Sequence, residues 1–334
     1  MKMNLRFTKQ WFYLLATVVL AACGGKSGQE QTAGSEGANS QKKFKIGLIP
    51  KGSTHTHWKT VEAGALKAAA EDSVQLLWQG PQKEDDRQMQ IQVVQNFISQ
   101  GVDIIGIAPL DAQSMVPQVQ SAVKRGIPVV VFDSALGSDD YSSYIATNNK
   151  KGGELCAARL AEVMGGKGNV LMLRYAEGSA STLEREAGFL AKIKEYPGIK
   201  IVSDNQYAGA TMEKAFQVSQ NLLNRFQDLE GIFCSNESAT QGMLRALQTA
   251  GKAGKIKFVG FDYNQTLIDA ITAGEIAGLA MQDPFKMGYE TVKAAVAILK
   301  KQPVQKQIDT GVTMLTKDNL NSPEVQSLLG TKVQ

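Results

Sequence analysis

Histidine is nearly absent from this 334-residue chain, which has only His55 and His57, and cysteine is almost as scarce, at three residues. No C-x-x-C pair occurs, so the usual structural zinc sites have no ligand set to draw on. The pair His55-x-His57 has no third strong protein ligand at a suitable spacing, and no metal is expected there. Catalytic signatures are missing as well. The loop after the first apolar run reads Lys51-Gly52-Ser53-Thr54-His55, which is neither a dinucleotide turn nor a Walker loop, and no G-x-S-x-G elbow appears. Gly165-Gly166-Lys167-Gly168 precedes a strand-like run instead of following one, and reads as a turn. No enzyme activity and no cofactor are expected. The apolar stretch from Trp11 to Leu20 falls well short of the roughly 20 residues that cross a bilayer.

That stretch has another reading. Lys2, Arg6 and Lys9 precede it and Ala21-Ala22 follow it, which is the three-part grammar of an export signal. It closes on Leu20-Ala21-Ala22-Cys23-Gly24, which resembles the bacterial lipobox. The resemblance implies cleavage before Cys23 and its acylation, hence an exported protein anchored to a membrane. From Gly24 to Lys43 almost nothing is apolar, so the segment cannot offset the entropy of ordering and reads as a flexible leash. Removing residues 1–22 leaves 33 Lys and Arg against 32 Asp and Glu. With the basic excess confined to the signal, no nucleic-acid partner is expected. Cys156 and Cys234 lie in apolar surroundings and read as small buried side chains, not as a disulfide.

Beyond the leash, short β-rich runs alternate with amphipathic helical stretches. Strands are expected at Phe44 to Ile49, Val74 to Leu77, Asp103 to Ala108 and Pro128 to Phe132, with helices between them such as Trp58 to Glu71. A second series begins near Gly152, with strands at Asn169 to Leu173, Lys200 to Val202, Gly231 to Ser235 and Lys257 to Phe261. Two series of βα units over about 290 residues predict an α/β protein of two doubly wound parallel sheets. Ligands of such sheets bind outside the carboxyl ends of the strands. The residues there are His55, His57 and Trp58, then Asp133 and Ser134, then Asn236 and Asp262.

Motifs along the chain, in order and spacing, complete the picture: Glu62-Ala63-Gly64-Ala65; Gly126 to Asp133; Glu184-Arg185-Glu186-Ala187-Gly188-Phe189; Ser235-Asn236-Glu237; Val259-Gly260-Phe261-Asp262; Ala280-Met281-Gln282-Asp283-Pro284. From Phe44 to about Leu315 the chain resembles the ribose-binding branch of the periplasmic binding proteins, whose ligand domains are shared with LacI-type repressors. The resemblance implies a type I fold, two Rossmann-like lobes joined by three crossing strands, with a sugar held between them. It places the N-terminal lobe at 44–146 plus 283–310 and the C-terminal lobe at 147–282 plus 311–334. The crossings fall near Ala146-Thr147-Asn148, Gln282-Asp283 and Asp309-Thr310-Gly311, and the helix Pro284 to Lys300 packs back on the first lobe.

By the same resemblance Asp133, Arg185, Asn236, Asp262 and Gln282 are ligand contacts, and Lys51 and His55 stand at positions that meet ligand. Carboxylates and amides suit neighbouring hydroxyls, and an arginine fork donates several hydrogen bonds at once. Trp58 offers a flat apolar face to a sugar ring. Relatives carry two adjacent aromatics where this chain has His57-Trp58, an arginine at Ser134, and an aromatic near Ala210. These departures argue against ribose itself and toward a differently shaped, more polar or acidic solute. The implied role is the monomeric binding subunit of an ABC importer, handing a small sugar or polyol to its permease. A sensing output to a chemoreceptor or sensor kinase is the alternative, while the export signal argues against a repressor.

Overall fold

The computed structural model describes residues 43–330; the signal, Cys23 and the leash up to residue 42 lie outside the described residues. The described residues form one compact unit. It contains two six-stranded sheets.

The first sheet is built from β1 (Lys45–Ile49), β2 (Gln75–Trp78), β3 (Ile104–Ile107), β4 (Val129–Phe132) and β5 (Ser143–Ala146), with α1 (Thr56–Glu71), α2 (Arg87–Gln100) and α3 (Val116–Lys124) between strands. The second repeats the scheme with β6 (Lys167–Arg174), β7 (Gly198–Tyr207), β8 (Gly231–Cys234), β9 (Lys257–Phe261) and β10 (Gly278–Gln282). Its helices are α4 (Asn149–Met164), α5 (Ala180–Ile193), α6 (Met212–Arg225), α7 (Glu237–Thr249) and α8 (Gln265–Ala273). Then come α9 (Pro284–Leu299), β11 (Gln307–Asp309), β12 (Val312–Leu315) and α10 (Pro323–Gly330). The sheet orders are β11-β5-β4-β3-β1-β2 and β12-β10-β9-β8-β6-β7, so the two lobes share one winding. Every pairing is parallel except β10 with β12.

Strands covered on both faces read as continuous apolar runs, and Val129-Val130-Val131-Phe132 is buried throughout. Alternation still sorts the side chains. Ile46, Leu48 and Ile104 pack on one face with Val61 and Val292; Ile49, Ile105 and Ile107 pack on the other with Val93 and Val119. In the second lobe Cys156 and Cys234 belong to cores on opposite faces of the sheet, and both thiols are free.

Three connections join the lobes: Ala146 to Asn149, Gln282 to Pro284, and Asp309 to Val312. The first and third lie side by side, with Thr310 N–H donating to the Ala146 carbonyl at 3.0 Å and Asn148 N–H to Asp309 Oδ1 at 3.2 Å. Gly311, at φ 90°, turns the chain from β11 into β12. Helix α9, entered from the second crossing, packs on α1 in the first lobe, as expected from the sequence. The strand at Lys200 to Val202 proves far longer, because the polar residues Asp204, Asn205 and Gln206 continue it along a sheet edge where alternate side chains face solvent.

Candidate functional site

Both sheets aim the carboxyl ends of their strands at one cleft. Asp133 follows β4 and Asp262 follows β9, the fourth strand of each series, and both are non-glycine residues in the left-handed region, at φ 62° and 67°. Each N–H bonds to the carbonyl of the neighbouring strand, Asp133 to Ile145 and Asp262 to Ala280, both at 2.9 Å. Aspartate is among the few residues that take this conformation readily. Backbone strain of this kind gathers at functional positions, and here it recurs at matching points of the two lobes.

Asp133 is the centre of the first network. Lys51 Nζ lies 3.0 Å from its Oδ2 and His57 Nε2 lies 3.2 Å from its Oδ1. Lys51, 3% exposed, also donates to Ser181 Oγ at 3.1 Å and Ser179 Oγ at 3.4 Å in the other lobe. Burial opposes ionisation of Asp133, but Lys51 and the His57 contact hold its carboxyl well below the usual range. Burial likewise opposes a charge on His57, and Asp133 raises its pKa despite it.

Arg185, in α5, anchors the second network. Its Nε donates to Asn149 Oδ1 at 2.9 Å, its Nη1 donates to the Ser235 carbonyl at 3.1 Å, and its guanidinium carbon sits 3.8 Å from the centre of the Phe261 ring. Such stacking on an aromatic face holds the fork flat and weakly hydrated. Asp262 Oδ2 lies 3.8 Å from Nη1 and accepts the Glu237 N–H at 3.0 Å, while its Oδ1 accepts from Gln282 Nε2. The other amide atom, Gln282 Oε1, is buried without a protein partner. Asn236 caps α7, its Oδ1 accepting from Ala239 N–H at 3.2 Å. Glu237 Oε1 accepts from Asn264 Nδ2 at 3.0 Å, and burial raises the carboxyl's pKa.

Glu84, from the loop between β2 and α2, gathers a third network. Its Oε1 meets His55 Nδ1 at 2.8 Å and accepts from Trp58 Nε1; its Oε2 accepts from Tyr175 OH at 2.6 Å. Burial works against the charged form of Glu84, but His55, Lys51 and the Tyr175 hydrogen bond bring its pKa down to about 2. Burial also disfavours a charged His55, yet Glu84, with Glu237 and Asp262, raises it to about 9.

A pH dependence of stability follows. Glu84 contributes fully above its unfolded pKa near 4.5 and loses that contribution as the pH falls through about 2. His55, raised from 6.5, contributes fully below 6.5 and loses its contribution as the pH climbs through about 9. Stability is expected to be greatest between those limits and to drop by roughly 3 kcal/mol on the alkaline side. Urea unfolding at pH 5.5 and 9.5 checks it: His55→Asn should flatten the alkaline limb, and equal wild-type stability at both values would contradict it.

Of the residues singled out from the sequence, Lys51, His55, His57, Trp58, Asp133, Arg185, Asn236, Asp262 and Gln282 line a single cavity between the lobes. Ser134 does not line it. It is buried behind Asp133, where its Oγ donates to Ser181 Oγ at 2.8 Å and so touches the opposite lobe. Trp58 is 2% exposed, edge-on to His57 and Phe132, so most of its indole is spent on the first lobe's core. The two imidazoles bond to different carboxylates, Glu84 and Asp133, and among the described residues no His, Cys, Asp and Glu cluster fits a metal.

Five lining residues were not found from the sequence: Glu84, Tyr175, Ser181, Thr182 and Glu237. Tyr175 directly follows β6 and Glu84 follows β2 within a short loop, so the strand-end rule, extended to every strand, points to both. Glu237 follows Asn236 in the run Ser235-Asn236-Glu237. Ser181 and Thr182 lie one helical turn before Arg185 on α5, the spacing that shares a face.

A family model for the periplasmic binding protein domain matches residues 46–303. The ribose import binding protein RbsB of Bacillus subtilis is 29% identical over 305 residues, covering 91% of this chain and 96% of that protein. A carbohydrate transporter solute binding protein from Agrobacterium radiobacter, solved in complex with D-arabinose, is 32% identical with a TM-score of 0.83 over 86% of this chain and 99% of its own. An ABC transporter solute binding protein from Agrobacterium vitis with bound D-fucose is 35% identical with a TM-score of 0.82 over 84% and 98%. No described helix is long and apolar enough to cross a membrane. With matching lobe windings, three crossings, a cleft between the lobes and a family match across most of its length, this chain belongs to the periplasmic binding protein family.

Proposed function

We propose that the chain is an extracytoplasmic binding lipoprotein that captures a small sugar or polyol by hinge closure and delivers it to an ABC importer. The observation that carries this reading is the convergence, from both lobes, of hydrogen-bond acceptors and fixed donors on one cleft: Asp133 and Lys51 from the first, Asp262 and Arg185 from the second. A polyol needs both kinds of partner, and a ligand drives closure only through contacts it makes with both lobes together. Relatives named for ribose, and solved with D-arabinose and D-fucose, support a monosaccharide. Segments 44–146 with 283–310 and 147–282 with 311–334 act as the rigid arms. The lipobox makes Cys23 the acylated residue, with at least two acyl chains needed for stable anchoring, and the leash leaves the clamp free to reach a permease.

Calorimetric titration of the unit from Lys42 onward, unfolded and refolded to strip carried ligand, tests the reading against pentoses, hexoses, polyols, sugar acids and zinc. One-to-one binding of a single sugar at micromolar affinity, near −8 kcal/mol, is the expected result. Silence across the sugars with a zinc response would move the site to His55 and His57.

A further inference from the structure

Glu84 joins the two lobes through side chains alone: each of its three close partners is a side chain, and they come from both lobes. His55 and Trp58, in and just before the first turn of α1, bond to one oxygen; Tyr175, at the end of β6 in the other lobe, bonds to the second. All four residues line the cavity. We infer that Glu84 is a positioning residue for solute capture: it fixes His55 and Trp58 on the face that meets the solute, and through Tyr175 it latches the second lobe over them. The inference rests on the cleft's being the solute site.

The latch has neighbours. The segment that follows β6 docks on the first lobe at several points: Glu177 carbonyl accepts from Arg87 Nη2 at 3.1 Å, the Gly178 carbonyl from Ala112 N–H at 3.0 Å, and Ser181 N–H donates to Ser134 Oγ at 3.2 Å. Gly178, at φ 82°, comes so near that a Cβ there would sit 2.1 Å from Asp111 Oδ2. None of these contacts involves solute, so closure has a contribution of its own. Across this seam two pairs touch the cavity through both members, the Tyr175 phenol with Glu84 and Ser181 with Lys51. His55 and Trp58 bond to Glu84 within the first lobe, and the Tyr175 bond, which exists only when the lobes meet, ties the second lobe to the same carboxylate.

The charge of Glu84 has a second effect. His55 faces Glu84, Glu237 and Asp262, and Glu84 faces His55, Lys51 and Tyr175. With Glu84 ionised, His55 stays a cation well above neutral pH, presenting a fixed donor to the solute. Neutralising Glu84 removes the nearest carboxylate and returns His55 toward its ordinary pKa of about 6.5.

Glu84→Gln and Tyr175→Phe separate the two effects. Glu84→Gln, which keeps size and shape, is expected to weaken binding of the panel's best sugar about tenfold or more at pH 7.5, and to move the alkaline loss of affinity from near pH 9 down toward pH 7. Tyr175→Phe should weaken binding several-fold through faster release, leave that pH profile in place, and enlarge the radius of gyration of the solute-free protein in small-angle scattering. Affinity within twofold of wild type for both variants, with an unchanged pH profile and radius, overturns the inference. If the wild type binds no sugar at all, the proposed function fails, whereas the radius and the pH profile of thermal stability still decide whether Glu84 and Tyr175 hold the lobes together.

Discussion

Asp262→Ala is expected to weaken solute binding by about two orders of magnitude. The carboxylate is 7% exposed, it stands at the end of β9 opposite Asp133, and it links Gln282, the Glu237 N–H and Arg185. A hydrogen bond to a charged group contributes roughly 1.5–3 kcal/mol when the partner would otherwise be left buried and unpaired, and about 1.4 kcal/mol is tenfold in affinity. Loss of the side chain removes its acceptors and leaves Arg185 without its nearest carboxylate. Asp262→Asn keeps one acceptor and suits the left-handed backbone, so it should lose only about one order of magnitude. Calorimetry with the best sugar of the panel measures both, with thermal melts to confirm folding. Asp262→Ala binding within threefold of wild type would show that the solute does not use this carboxylate.

Two glycine pairs make the second large effect. In the first lobe a Cβ on Gly64 would lie 1.9 Å from the Phe285 carbonyl oxygen, and one on Gly288 would lie 1.9 Å from that of Val61. In the second lobe Gly153 meets the Arg185 carbonyl at 1.9 Å and Gly188 meets that of Lys150 at 2.1 Å. Helices α1 and α9, and α4 and α5, thus touch backbone to backbone at reciprocal points. Because the obstructing atoms are main chain, an added methyl must push whole helices apart, and overpacking of this kind costs about 1–3 kcal/mol or more. Gly64→Ala and Gly153→Ala should each lose about 3 kcal/mol in urea unfolding. Their effects on binding should differ. Gly153 abuts the residue that carries the cleft guanidinium, so displacing α5 moves Arg185 off Phe261 and away from Asp262; Gly64 meets α9, none of whose residues lines the cavity. Affinity should fall at least tenfold for Gly153→Ala and stay near wild type for Gly64→Ala in the fraction that remains folded. Equal affinity in both variants would mean that Arg185 holds its place independently of α4.

The sugar-binding relatives and the unpaired Gln282 Oε1 fit a cleft in which protein carboxylates and cations already satisfy one another. Lys51 and His57 sit on Asp133, His55 sits on Glu84, and Arg185 lies near Asp262. This pairing has a bearing on the acidic solute suggested by Lys51 and His55 in the sequence. A free anion would compete with buried carboxylates for each cation, whereas hydroxyls can join the networks without displacing a charge. The sugar acids in the binding panel decide between these readings.

The sequence by itself determined the two doubly wound units and the shared direction of their strand ends, because hydrophobic periodicity and turn chemistry are local signals and alternating βα units wind into parallel sheets. Asp133, Asn236 and Asp262 were legible for the same reason: each stands within two residues of an apolar run, and a parallel sheet sends such residues to one edge. Arg185 and Gln282 came from a likeness of motifs, since a charge on a helix flanked by Glu184 and Glu186 reads equally well as solvated surface. Only the tertiary structure buried it, by laying Phe261 beneath it and Asn149 beside it. The same holds for Ser134, which bonds to Ser181 without lining the cavity itself, and for Trp58, drawn mostly into the core. Glu84 and Tyr175 are 91 residues apart in the chain; no local pattern couples positions on separate lobes, and their hydrogen bond exists only because three short crossings let one lobe close upon the other.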